Sequence, residues 1–311
     1  EWAAAADVGE EDAITVRYGA GTLHQTALPS AGWMMTHQAA LLDGQLTGRE
    51  VLDGESLGMF ARAARLAFDH RYATCGSDTD AWRECFEPGR LDRDRALVRD
   101  GGGVVGALPG VRVDGDTTSS VCVDGEGRAV SFIHSLAFTF GARTTIPGTG
   151  VVLNNRLGRG AYLVPGHPNE VRPGRKPLHT LNAWVHDEPG SGLRHVGNCP
   201  GGDGQVQWNM QVLSHLTDHG LDPQLAVSLP RLTVFPGSDA DVVGERQEVR
   251  LEEGMPERAV GLLRRAGAPV VVTPPQRGGP GGSALVVSRD PTTAVLAAAA
   301  DPRMEGVALT R

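Results

Sequence analysis

Residues 117–130 read TTSSVCVDGEGRAV, and the fold class turns on this stretch. Residues 117–123 are β-prone, Asp124-Gly125-Glu126-Gly127 is a turn signal, and 129–140 again reads as strand. The segment is therefore expected to be a β-hairpin. Downstream, strands are expected at 150–154, 182–186, 193–198, 231–235, 269–273, 284–288 and 293–298. Two helices interrupt them. One runs from Gln205 to His219, with Val206, Met210, Leu213 and Leu216 on one face and Gly220 as its stop. The other covers 256–266. Upstream of the hairpin the texture is helical. After a short strand at 13–18, helices are expected over 33–42 and 55–72. Residues 86–116, with a charged run and three consecutive glycines, read as an exposed connector. Strands and helices of this kind form a layered α+β domain.

The chain has 311 residues, 40% of them hydrophobic, enough for a sizeable core. Its net charge of −8 argues against general nucleic-acid or anionic-membrane binding, where a basic surface supplies the affinity. Lys176 is the only lysine, so arginine carries nearly all the positive charge. No apolar run approaches the ~20 residues that span a bilayer. The four cysteines form no CxxC pair, so no zinc site is indicated. Cys75 and Cys85 are compatible with a disulfide or with two free thiols. Cys122, in mid-strand, reads as a small core residue, and Cys199 as structural. No metal or organic cofactor is indicated. The sequence starts at Glu1, not Met, with no signal peptide visible in it, so a removed N-terminus or a fragment is expected.

Three places can carry chemistry. Asp116-Thr117-Thr118 lies where the connector meets the first hairpin strand. A threonine hydroxyl becomes a useful nucleophile when a base stands beside it. An N-terminal threonine supplies that base itself, through an α-amine of pKa about 7.7–8.0. The commoner meaning of Thr-Thr is a strand start. Asn198-Cys199-Pro200-Gly201-Gly202-Asp203-Gly204 opens directly into the second half's long helix. Backbone N–H groups there can face an anion or an oxyanion, although Pro-Gly-Gly is also an ordinary turn. Arg156 and Arg159 follow Asn154-Asn155 and can fork onto a carboxylate, although solvated surface pairs are more frequent.

Taken together, these pieces resemble the γ-glutamyltranspeptidase family of N-terminal-nucleophile hydrolases. The resemblance rests on the 117–130 run, Phe140-Gly141, GVVLNN from Gly150, RKPLHT from Arg175, Pro200-Gly201-Gly202 and the helix after it, and Ala300-Asp301-Pro302-Arg303. Upstream, LPSAGW from Leu28 and ARAARLAFDHR from Ala61 are similar to the end of the family's large subunit.

The resemblance implies a four-layer αββα fold, one domain shared by two segments: 1–116, the C-terminal part of a large-subunit-like segment, and 117–311, a small-subunit-like catalytic segment. It implies self-cleavage at Asp116–Thr117 and association of the two pieces. Thr117 becomes the nucleophile and Thr118 a positioning residue. Ser135 corresponds to a threonine that hydrogen-bonds the nucleophile. Gly201 and Gly202 correspond to the oxyanion-hole pair. Typical members hold the γ-glutamyl amine and carboxylate with an Asn, a Gln, an Asp and two serines. Here Ala137, Arg156, Arg159, His179 and Thr180 occupy those places. A cation thus stands where the ammonium's acidic partner is expected, and an ammonium beside it is repelled.

The expected activity is therefore acyl cleavage of a small molecule whose acyl group is anionic, such as an oxalyl, oxo-acid or dicarboxylic unit. Diverged relatives of this type include oxamate amidohydrolases, cephalosporin acylases and carbon–carbon hydrolases of antibiotic pathways. Two alternatives stand beside it: an ordinary γ-glutamyltransferase or glutathione hydrolase, and an inactive partner subunit. A biosynthetic role fits the cytoplasm, whereas typical bacterial members are exported.

Overall fold

The computed structural model describes residues 9–101, 117–240, 242, 246–275 and 282–310. In chain order the strands are β1 Ile14–Tyr18, β2 Gly21–Gln25, β3 Thr117–Val123, β4 Ala129–Ser135, β5 Ala183–Glu188, β6 Gly192–Asn198, β7 Leu232–Phe235, β8 Glu248–Glu252, β9 Val270–Thr273, β10 Leu285–Arg289 and β11 Leu296–Ala300. The helices are α1 Gly32–Leu42, α2 Gly54–Thr74, α3 Pro88–Asp100, α4 Arg156–Gly160, α5 Gly204–Thr217, α6 Pro223–Ser228 and α7 Glu257–Arg265.

Six strands form one antiparallel sheet in the order β1-β2-β5-β6-β10-β11. Strands from before and after residue 116 thus share a sheet. Helices α1 and α5 cover one face, with α2 packed behind α1. The β3–β4 hairpin lies over β5, β6 and β10 on the other face. Its strands alternate strictly in exposure. The inward side chains include Ser119, Ser131 and Ala129, small enough for two β layers to approach closely. The outward side carries Thr118, Ser120, Cys122, Val130, Phe132 and His134, all exposed. Three layers, α-β-β, are therefore present among the described residues, and a second helical layer on the hairpin is not among them.

The core runs through Trp33, Met34, Leu41, Phe68, Trp184, Met210 and Leu213. Helix α5 departs from the simple one-sided pattern, because polar residues are buried along its length as well. Gln207 receives the Val234 N–H (2.7 Å) and Gln211 that of Leu232 (2.9 Å); each donates back to the same residue's carbonyl. One turn apart on the helix, the two glutamines satisfy the open edge of β7 in the β7-β8-β9 sheet. Near the C-terminus, Asp301 binds Arg231 at 2.6 Å and Arg303 at 2.8 Å, and Arg303 also pairs with Glu252, tying the last strand to β8.

Several expectations need correction. Residues 88–100 are helix, not connector; Pro88 starts it and Gly101 closes it in the left-handed region. Only Leu91 and Val98 supply an apolar stripe there, too narrow to stand out among the charges. Strand β4 ends at Ser135, because Ala137 and Phe140 take positive φ and turn the chain away. At 150–154 only a single bridge, Thr145 to Val152, forms. Cys122 is exposed, because strand alternation puts it on the outward face. All four cysteines are free thiols. Among the described residues no helix is long and apolar enough to cross a membrane, and no cluster could hold a metal ion.

Candidate active site

The hairpin register places Thr117 directly opposite Ser135. The Thr117 hydroxyl donates to Ser135 Oγ at 3.0 Å, and that oxygen also accepts the Ala137 N–H at 3.0 Å. The left-handed backbone of Ala137 (φ 73°) curls this N–H back onto the serine. Asn155 N–H then donates to the Leu136 carbonyl at 2.8 Å, which holds the start of α4 one residue from Ser135. Asp116, the other half of the expected cleavage site, lies outside the described residues, and Thr118 points to the outward face.

The glycine turn reaches the same neighbourhood through β6. Asn198, the last residue of β6, donates its side-chain amide to the Ser120 and Phe132 carbonyls (3.2 Å each) and to Ser131 Oγ (3.0 Å). It thus ties the nucleophile hairpin to Gly201-Gly202, three and four residues on. Gly201 has φ 134°, and a Cβ there would stand 2.1 Å from the Trp208 ring. Gly202 has φ 57°, and its Cβ would stand 2.7 Å from the Arg159 guanidinium. The positive φ values and the close approaches both require glycine.

Behind the turn sits a buried charge network. Arg71 on α2 binds Asp203 at 2.6 Å and Asp239 at 2.8 Å, and also reaches Ser238 Oγ at 3.1 Å. The second oxygen of Asp203 receives the N–H groups of Ser238 and Asp239. The second oxygen of Asp239 faces Arg159 Nε at 3.1 Å, and the Arg159 guanidinium lies over the Phe138 ring. Burial and the neighbouring Asp239 push the Asp203 carboxyl upward, against the pull of Arg71. Burial raises Asp239 too, but Arg71, Arg159 and Arg156 together outweigh it and hold that carboxyl below its ordinary range.

Arg156 differs from Arg159. Its Nη1 stands 3.5 Å from Thr180 Oγ1, and no carboxylate among the described residues lies within ion-pair distance. Burial, with Arg159 and Arg71 nearby, lowers its pKa, although Asp239 draws it back. His179 is bracketed by backbone bonds, its N–H to Pro29 O and its carbonyl to Ala31 N. Burial, then Arg156, depress its imidazole to about 4, so it is neutral at pH 7. The structure thus brings Thr117, Ser135 and Ala137 into one contact chain, Arg156 beside Thr180, and Arg159 against Gly202. In the sequence Asn198 and Asp203 stand out only as members of the glycine-rich turn and Arg71 only as the end of the 61–71 run, while nothing local marks Asp239.

A model of the gamma-glutamyltranspeptidase family matches residues 4–310. The chain belongs to that family. Oxamate amidohydrolase proenzyme of Klebsiella pneumoniae is 29% identical over 308 residues, covering 95% of this chain and 54% of the relative. The glutathione hydrolase-like YwrD proenzyme of Bacillus subtilis is 32% identical over 199 residues, covering 63% of this chain and 36% of the relative. The chain therefore spans about half or less of the length of these family members. Cephalosporin acylase from Bacillus halodurans has the same fold, with a TM-score of 0.78 at 24% identity over 95% of this chain and 52% of that one. Membership places the chain among the N-terminal-nucleophile hydrolases.

Proposed function

We propose that this chain is the catalytic portion of a self-processing hydrolase that uses Thr117 to cleave an anionic acyl group from a small molecule. The observation that carries the reading is the 3.0 Å contact of Thr117 Oγ1 with Ser135 Oγ, at a strand end that Asn198 ties to two glycines with positive φ. In processing, the Thr117 hydroxyl attacks the carbonyl carbon of Asp116. The peptide nitrogen leaves as the new α-amine and an ester forms. Water then hydrolyses the ester, releasing Asp116 as a carboxylate. In turnover the α-amine accepts the hydroxyl proton as Thr117 attacks the acyl carbon, and later passes a proton to the leaving group. Ser135 Oγ, fixed by Ala137 N–H, orients the nucleophile. The Gly201 and Gly202 N–H groups receive the oxyanion, a contribution of about 3–4 kcal/mol per donor in comparable sites.

Specificity follows from Arg156. It faces Thr180 beside a neutral His179 and has no carboxylate partner among the described residues, so it suits a substrate carboxylate. The relative named oxamate amidohydrolase supports the same substrate class. The intact mass of the purified protein tests the nucleophile. Two pieces beginning at Glu1 and Thr117, absent in Thr117→Ala, are expected. A single uncleaved chain under the same conditions counts against self-processing. Faster turnover of a γ-glutamyl anilide than of any anionic acyl compound counts against the specificity.

A further inference from the structure

Gly202 lies between two anchored neighbours. Along the chain, Asp203 follows it directly. Arg71 Nη1 donates to one oxygen of that carboxylate at 2.6 Å, and the N–H groups of Ser238 and Asp239 donate to the other. Through space, the Arg159 guanidinium packs against Gly202, and Asp239 faces its Nε at 3.1 Å. Arg71 joins the two sides: its Nη1 takes Asp203 and Ser238 Oγ, and its Nη2 takes Asp239 at 2.8 Å. Arg71 is fully buried and sits on α2, before residue 116, whereas the three side chains it binds all follow residue 116. The far side of the carboxylate is closed as well, since a Cβ on Gly237 would stand 2.2 Å from Asp203 Oδ2.

We infer that Arg71 is the positioning residue of the oxyanion turn: by fixing the carboxylate that follows Gly202 it sets where the Gly201 and Gly202 N–H groups point, so the catalytic segment takes its oxyanion geometry from the segment on the other side of the cleavage site. The inference rests on the reading of Thr117 as nucleophile and of the two glycines as oxyanion donors. Both glycines have positive φ and carry no side chain to lock them, so their orientation depends on what the neighbouring residues bind. The turn's own bonds, Gly204 N–H to Gly201 O and Gln205 N–H to Gly202 O at 3.1 Å each, hold its shape but not its place in the fold. A guanidinium suits that task, because it binds two carboxylates and a hydroxyl in fixed directions that a lysine ammonium does not reproduce. Arg71 acts through Asp203 and is not itself catalytic.

The test compares full-chain Arg71→Lys with wild type, using oxalyl and glutaryl p-nitroanilides and only protein that mass spectrometry shows to be cleaved at Thr117. Arg71→Lys is expected to lower kcat about 30- to 100-fold with KM within about threefold, because a donor displaced by a fraction of an ångström loses the transition state and not the ground state. In Arg71→Lys/Gly202→Ala the two losses are expected not to multiply, and kcat should lie within about threefold of Gly202→Ala alone, since both act on one pair of donors. A merely structural role lowers the melting temperature and leaves kcat per processed chain unchanged. Gly237→Ala presses on the Asp203 carboxylate from the other side without touching Arg71, and it carries the same kcat test where Arg71→Lys yields no processed protein. Unchanged kcat in the processed variant, a loss carried by KM, or fully multiplying losses in the double variant overturn the inference alone. So does failure of both Arg71→Lys and Gly237→Ala to give processed protein, which makes the network a folding element. If wild type is not cleaved at Thr117, or hydrolyses neither anilide once cleaved, the reading beneath the inference falls and the inference with it.

Discussion

The side-chain amide of Asn198 stands 3.0 Å from the hydroxyl of Ser131, and that hydroxyl donates in turn to the Gly197 carbonyl at 2.8 Å. The end of β6 is thereby locked to the hairpin that begins at Thr117. The same amide serves the carbonyls of Ser120 and Phe132, a facing pair on the two hairpin strands. Asn198→Ala leaves these part-buried acceptors without their donor, at a cost of about 1 kcal/mol. The expected outcome is a lower denaturation midpoint together with slower cleavage at Thr117. Asn198→Asp is expected to be worse, because a carboxylate would face three oxygens. Wild-type stability and processing in Asn198→Ala would mean that the two β layers hold together without this residue.

Substitutions at the glycine turn should differ in severity. Alanine at Gly201 meets the Trp208 ring, which is buried and held by its bond to Thr233 Oγ1 at 2.7 Å, so nothing nearby can move. Alanine at Gly202 meets the end of the Arg159 side chain, which can give way only by straining its pair with Asp239, and the left-handed backbone adds about 1–2 kcal/mol. Gly201→Ala is therefore expected to reduce soluble, processed protein. Gly202→Ala is expected to fold with kcat lowered by about 10²–10³-fold through a displaced oxyanion donor. Melting temperature and kcat on any hydrolysed anilide check the order.

These relationships mark how far sequence alone reaches. The hairpin is readable from its turn and strand alternation, but its register is not: the loop takes in Arg128 beyond the Asp124–Gly127 signal, so the pairing of Thr117 with Ser135 is reached only through the family resemblance. The positive-φ turn before α5 is readable from its glycines. The α3 helix is hidden because its inward apolar positions are only Leu91 and Val98, and the neighbouring Leu97 faces outward among the charges. The Arg71–Asp203–Asp239 network is hidden for another reason: its members are 132 and 168 residues apart, and no local pattern signals that a helix arginine will meet a turn aspartate. Gln207 and Gln211 are similar. They look like a polar helix face until β7 is seen to need their amides.

Acid should destabilise the fold well before most carboxylates titrate. Burial depresses the imidazoles of His37, His195 and His215 to about 3. Neither ring nitrogen of His37 or His215 has a hydrogen-bond partner among the described residues, so a protonated ring there has no acceptor. In the unfolded chain each titrates near 6.5. The unfolded state thus binds more protons between about pH 6.5 and 3, and stability falls as pH drops through that window. Each group contributes up to about 1.4 kcal/mol per pH unit. Asp203, raised to about 6, works in the opposite sense as a single group, because its protonated form favours the folded state. The net expectation is a urea midpoint that declines steadily from pH 6.5 to pH 4.5. A flat midpoint across that range would show that these histidines are hydrated or protonated in the native protein.

Removing each arginine of the acyl site in turn should separate recognition from architecture. Arg156 has a weak 3.5 Å contact with Thr180 and no ion pair among the described residues, so Arg156→Ala costs little stability. Its expected effect is a KM about tenfold or more higher for an anionic acyl substrate, with kcat and the KM of a neutral acyl substrate nearly unchanged. Arg159→Ala strips Asp239 of one of two cationic partners in a fully buried position. Breaking such a pair costs about 3–5 kcal/mol. It also opens the space beside Gly202, where the guanidinium now packs. Arg159→Ala is therefore expected to lower the melting temperature and to reduce kcat for neutral and anionic substrates alike. A rise in KM confined to anionic substrates in Arg159→Ala, at wild-type stability, would assign carboxylate recognition to Arg159 instead of Arg156.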